Sequence, residues 1–273
     1  MSRTEVAARP PLSLETTSVA VSGVTRAFAA RGRAARRRGP VVALDGLSLD
    51  VGAREVVAVV GPSGCGKSTL LELIAGLQEP DAGTIAVGGA TGARERGRSC
   101  AYMPQRDLLL PWRDALANAA LALECQGASR AEARRRAEPL FERFGLAEFE
   151  RSSPAELSGG MRQRVAFLRT LLAGRPVLLL DEPFGALDSI TRAQMHDWLA
   201  GALAAEPRTV VLVTHDVEEA LLLADRVIVL SPRPGRVVTE LLVDLPRPRP
   251  RRATVTGPGF AELKERALEA LGA

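Results

Sequence analysis

The sequence predicts an α/β fold. Apolar runs of strand length recur along it, at Val56–Val60, Val177–Leu180, Thr209–Val213 and Val227–Leu230. The first of them leads into a glycine-rich turn and then a helical stretch. A short run without polar residues fits a strand covered on both faces. Strand, turn and helix in that order open a parallel sheet. Of the 273 residues, 46% are apolar and 25% charged, so the chain has the material for a sizeable core.

Taken in order, residues 1–17 read as a loose, proline-containing tail. Ser18 to Phe28 alternates enough to be a strand, and residues 29–40 read as an exposed arginine-rich loop. From Val41 to Val60 we expect strands separated by turns at Asp45-Gly46 and at Val51-Gly52-Ala53-Arg54. A helix follows over about 67–77. Residues 106–156 read as a helical insert, with helices at 113–125 and 129–144. Pro139 lies inside the second, where it should kink or split it. A helix spans 161–173, and strands cover Val177–Leu180, Thr209–Val213 and Val227–Leu230. Pro246 to Arg252 reads as extended linker, and Phe260 to Leu271 as an amphipathic helix. No internal repeat is visible.

Composition excludes several classes. No run of eighteen apolar residues occurs, so no membrane span is expected. The start, Met1-Ser2-Arg3-Thr4-Glu5, has no apolar stretch of a secretory signal. Three scattered cysteines, Cys65, Cys100 and Cys125, do not make a disulfide framework and fit a reducing compartment. Residues 1–40 hold eight arginines against Glu5 and Glu15, so this segment carries +6 and the rest of the chain −2 of the +4 total. The body of the chain is therefore not a basic nucleic-acid-binding surface. Only Lys67 and Lys264 among 36 basic residues are lysine, and a lysine at 67 suggests a need for a compact, flexible ammonium.

That lysine stands in Gly61-Pro62-Ser63-Gly64-Cys65-Gly66-Lys67-Ser68, which matches G-x-x-x-x-G-K-[ST]. Glycines let successive backbone N–H groups curl around an anion, and the following helix turns its positive N-terminus to the same point. Lys67 is expected to reach the β- and γ-phosphates of a nucleotide and Ser68 to ligate Mg²⁺. Cys65 is at a variable position and reads as a small filler. Downstream, Asp181 ends a buried strand and can face the metal, and Glu182 can polarise an attacking water as general base. Leu157-Ser158-Gly159-Gly160-Met161-Arg162-Gln163-Arg164 is a second anion-ready helix start, which one nucleotide site does not need.

This last string resembles the signature of ABC ATPases, with Met161 where glutamine is commonest. The resemblance covers roughly residues 18–245, which it marks as the ATPase domain, with 246–273 as a Pro/Arg linker and C-terminal helix. It implies a P-loop NTPase (RecA-like) core with an antiparallel β subdomain and the inserted helical subdomain. It also implies ATP and Mg²⁺ as cofactors. Gly61, Pro62, Ser63, Gly64, Cys65, Gly66, Lys67, Ser68 and Thr69 then hold the nucleotide, and Phe28 stacks on adenine. Gln105 looks like the glutamine that touches Mg²⁺ and water and relays to the insert; Ser68 and Asp181 complete the metal set. Ser158, Gly159 and Gly160 look like the residues that clamp the opposite subunit's γ-phosphate; Asp188 resembles the D-loop aspartate and His215 the switch histidine. Bland readings stand beside these: Asp188 as a helix cap, Phe28 as packing, His196 as an ordinary helix residue.

The resemblance further implies a homodimer sandwiching two ATPs, bound to separate permease subunits at the cytoplasmic face of the plasma membrane. Leu108-Leu109-Leu110-Pro111-Trp112-Arg113 is similar to the nitrate/sulfonate/taurine importer group, as are Thr214–Leu221, Leu230–Arg236 and Asp244–Arg247. This narrows the expectation to uptake of a small anion, with a substrate-binding protein as indirect partner and no nucleic acid. A soluble ABC ATPase acting on nucleic acid or ribosomes is the alternative. Trp112 is either the docking point for the permease or a core residue of the insert.

Overall fold

The structure, a computed structural model, describes residues 17–29 and 39–272. The tail to residue 16 and most of the arginine-rich loop lie outside the described residues. Nine strands form two sheets among the described residues. The smaller is antiparallel, in the order β2 (Val41–Val51), β1 (Val19–Phe28), β4 (Ala82–Val87). The larger runs β5 (Cys100–Met103), β6 (Val177–Asp181), β7 (Thr209–Thr214), β3 (Val56–Val60), β8 (Arg226–Leu230), β9 (Val237–Leu242). Its strands are parallel except β9, which pairs antiparallel to β8.

The apolar runs become strands because they can be buried on both sides. Every residue of β3, β6 and β7 is buried. Val56, Ala58 and Val60 face one core cluster, while Val57 and Val59 face the other. Each fully buried valine contributes roughly 1.5–3 kcal/mol relative to exposure. The small sheet and α1 (Lys67–Ile74) cover one face. The other carries α3 (Ala115–Cys125), α4 (Arg130–Arg143), α5 (Gly159–Leu172), α6 (Ser189–Ala205), α7 (Val217–Leu223) and the C-terminal α9 (Pro258–Leu271). Short α2 (Ala93–Ser99) precedes β5, and the single turn α8 (Arg251–Thr254) precedes α9.

Two expectations are corrected. Asp45-Gly46 is not a turn: β2 runs through it as a bulge, with Gly46 at φ 61° and its N–H donating to Thr25 Oγ1 at 3.1 Å. A left-handed glycine lets one strand absorb the extra residue without ending. Pro139 does not split its helix, since α4 is continuous through it. The carbonyl that loses its ladder partner belongs to Arg135, an exposed residue, so solvent can take the partner's place. Further along, the Pro-Arg stretch is tied to the body. Arg249 donates to the carbonyls of Leu221, Ala224, Val243 and Leu245. Burial pushes its pKa down to about 10.

Candidate active site

The site lies outside the carboxyl ends of β3, β5, β6 and β7, where open α/β sheets bind ligands. Gly61 follows β3, Asp181 ends β6, and His215 follows β7. A cavity of about 350 Å³ opens there. Its phosphate-loop wall includes Ser63, Gly64, Gly66, Lys67, Ser68 and Thr69; Gln105 and Glu182 close one side. Phe28, Val41 and Ala43 form an apolar patch at another side.

The loop conformation demands its glycines. Gly66 caps α1 at φ 111°, and a Cβ there would come within 2.8 Å of the Ala43 carbonyl oxygen. No other residue fits both constraints. Lys67 is buried, and its ammonium donates to the Gly61 and Pro62 carbonyls at 2.7 and 3.1 Å. Cys65 is buried as well and fills space beneath Gly61, as a small filler should.

Asp181 is 2% exposed. Burial raises its pKa, with the Ser68 hydroxyl beside it pulling the other way. Glu182 turns the chain at φ 47°, a left-handed conformation that costs a non-glycine residue roughly 1–3 kcal/mol. Its N–H donates to the Val213 carbonyl at 2.8 Å, so the turn is tied to β7. The carboxylate then sits between two neighbours: Gln105 Nε2 donates to Oε2 at 3.1 Å, and His215 Nδ1 stands 3.4 Å from the same oxygen. Residues 105, 182 and 215 thus meet at one atom. Strain at this point is held by the surrounding hydrogen bonds, as at many functional turns.

Of the other residues picked out in the sequence, Phe28 lines the cavity and the rest fall elsewhere. Ser158 caps α5, accepting from the Met161 N–H at 3.2 Å, and neither it nor Gly159 or Gly160 lines the cavity. Asp188 caps α6 through the N–H groups of Ile190 and Thr191 at 3.1 and 3.0 Å, so the cap reading holds. The first of the causes that lower its pKa is the bond from Thr191. Phe28 is half-buried, with the Arg26 guanidinium 5.0 Å from its ring centre. Trp112 is 76% exposed, which removes the core reading. Buried Asn118 on α3 explains it: its side chain binds the Leu110 N–H and the Leu110 and Arg113 carbonyls, so the residues between bulge outward.

Arg233 is a cavity residue that motif reading missed. Its Nε donates to the Gly64 carbonyl at 2.9 Å across a separation of 169 residues. Val41 and Ala43 were missed too, because strand residues carry no site signal.

A loop shaped for phosphates, facing two successive carboxylates at a sheet's carboxyl edge, can bind a nucleoside triphosphate and hydrolyse it; fold and site together define a P-loop ATPase. The ABC transporter family pattern matches residues 44–185. The formylaminopyrimidine import ATP-binding protein ThiZ of Halalkalibacterium halodurans is 48% identical over 200 residues, covering 73% of this chain and 78% of its own length. The taurine import ATP-binding protein TauB of Burkholderia pseudomallei is 43% identical over 241 residues, covering 87% and 92%. Among solved structures, the dimeric ATP-binding cassette MJ0796 bound to ADP and Pi matches with a TM-score of 0.75 at 30% identity, over 83% of this chain and 99% of that one. The chain belongs to the ABC transporter family, as an ATP-binding and ATP-hydrolysing subunit.

Proposed function

We propose that the chain powers an importer, hydrolysing ATP to drive uptake of a small organic or inorganic anion through separate permease subunits. The observation that carries the mechanism is the split between two anion-ready helix starts. One lies in the cavity with Lys67; the other, at Ser158, does not touch it. A second protomer would supply the missing half, so that Ser158, Gly159 and Gly160 clamp the partner's γ-phosphate and Asp188 lies along the shared seam.

The donor set fits Mg²⁺. Ser68, Asp181 and the Gln105 amide offer hard oxygens, and Mg²⁺ is commonly held by one or two carboxylates plus substrate phosphates. When bound, the cation would neutralise charge developing on the phosphates. The residues do the rest. Lys67 and the loop N–H groups hold the β- and γ-phosphates. Glu182 takes the proton of the attacking water, oriented by Gln105 on one side and His215 on the other. His215 also reaches the γ-phosphate, and Phe28 stacks on the base. ATP joins two protomers and hydrolysis releases them, a population shift driven by differential binding.

The importer reading is supported by the likeness to ThiZ and TauB, whose names describe import of formylaminopyrimidine and of taurine. With a permease as partner, the chain sits peripherally on the cytoplasmic face of the membrane. No helix among the described residues is long and apolar enough to cross one.

Two experiments test this. Glu182→Gln should still bind ATP and accumulate as a dimer on light scattering; a variant that stays monomeric with ATP, with its permease present, overturns the composite site. Co-purification should recover a permease and a binding protein whose ligand, found by thermal shift, is a small anion. ATPase activity stimulated by nucleic acid, with no membrane partner recovered, overturns the importer reading.

A further inference from the structure

His196 on α6 and Glu219 on α7 form a buried pair that no step above uses. They are 3% and 4% exposed. His196 Nε2 stands 3.7 Å from Glu219 Oε1. Among the described residues, neither ring nitrogen of His196 nor that oxygen has a hydrogen-bond partner. Burying such groups costs stability, so their position calls for a reason beyond packing.

The other oxygen of Glu219 supplies one. Oε2 accepts the Thr214 hydroxyl hydrogen at 2.8 Å, and the Thr214 oxygen accepts from the Asp216 N–H at 3.0 Å. The Asp216 carboxylate in turn accepts from the N–H groups of Glu218 and Glu219 and faces Arg192 of α6 at 3.7 Å. His215 is the residue held between Thr214 and Asp216. On the far side, the His196 ring meets Phe184 edge-on with centres 5.1 Å apart, two residues after Glu182. One buried pair therefore touches both the turn that carries His215 and the turn that follows Glu182.

We propose that Glu219 is a positioning residue. It anchors the Thr214–Asp216 turn so that His215 keeps its 3.4 Å approach to Glu182, while His196 packs between Glu219 and Phe184, in the segment after Glu182. The proposal rests on the reading of His215 given above. A fixed hydroxyl-to-carboxylate bond in a dry interior defines the turn more sharply than a solvated loop could.

The test uses the full chain, with kcat measured at saturating MgATP and affinity by titration with a fluorescent ATP analogue. Thr214→Val keeps the side-chain shape and removes the hydroxyl. It should lower kcat about tenfold with the Kd for ATP within about twofold, since the two lost bonds, to Glu219 and from the Asp216 N–H, order a reacting group and not the nucleotide. Thr214→Ser should restore kcat to within about threefold of the parent chain. Glu219→Gln, whose carbonyl accepts the same hydrogen, should keep most activity, and Glu219→Leu should match Thr214→Val. The Thr214→Val/Glu219→Leu pair should be no worse than either alone. Parent-level kcat in Thr214→Val, equal losses in kcat and affinity, or additive losses in the pair would each overturn the proposal. His215→Ala separates the two levels. If it leaves kcat unchanged, the reading of the site falls and the positioning role with it. If kcat collapses there but not in Thr214→Val, the positioning role alone falls.

Discussion

Single residues at the site carry opposing demands of stability and chemistry. Asp181 shows this most clearly, because burial raises its pKa in the folded chain. A carboxylate raised on folding is protonated more readily in the native state. Its ionised form therefore costs stability above the folded pKa, and the cost fades as pH falls through the window toward the unfolded value. Asp181→Asn should thus raise the thermal midpoint at neutral pH, with the gain shrinking in acid, while Mg²⁺-dependent hydrolysis is lost. Calorimetry across pH with a parallel ATPase assay checks both. Tyr102 and Cys100 are raised by the same desolvation, Cys100 to about 12, so that thiol stays protonated and unreactive. The strained Glu182 turn adds to the picture: the site is held in its shape by neighbours, not by its own preference.

Among the elements, the long helices are legible in sequence to within a residue or two at their starts: Asp114 and Ser129, which cap α3 and α4, fall inside the helices expected at 113–125 and 129–144. Ser158, Asp188, Asp114 and Ser129 all cap helices with their side chains, as short polar residues do. Pro139 looks like a break because the local rule is strong, yet α4 runs through it at an exposed turn, where solvent can reach the freed carbonyl. The ring still removes a ladder bond, so Pro139→Ala should stabilise the chain by about 1–3 kcal/mol in denaturant titration without changing ATPase activity. Elements α2, β4, β5, α7, β9 and α8, whose first residues were read as extended linker, escaped the sequence reading. They are short, and β5 and β9 are strands of four and six residues whose pattern does not stand out from a turn.

At the level of the whole molecule, long-range ties decide how the surface is presented. Arg249 binds four carbonyls from the segments around α7 and β9, closing the C-terminal stretch onto the large sheet. Arg249→Met leaves those acceptors without a charged donor and should cost about 2–3 kcal/mol by urea denaturation, with the affinity for ATP little changed. Trp112 belongs to the same scale: Asn118 pushes it outward on the insert, away from the nucleotide cavity. Trp112→Ala should leave the melting temperature and the ATPase rate of the isolated chain unchanged. Stimulation by the reconstituted permease should fall at least several-fold, which an ATPase assay in proteoliposomes measures.

The sequence by itself determined the chemistry of the phosphate loop, the order of the motifs and the family, because each motif is contiguous. Eight successive residues suffice to shape a cradle for phosphate, and a single apolar run suffices to bring Asp181 to a strand end. Only the tertiary structure decided which distant groups share an atom or a wall. Gln105 and His215 meet at Glu182 because strand order places β5, β6 and β7 side by side. Arg233 reaches Gly64 because β3 and β8 are neighbours, and Glu219 meets His196 beneath the His215 turn because α6 and α7 pack on the same face. Such contacts depend on how layers stack, and stacking is set by burial summed over the whole core, which no local spacing encodes.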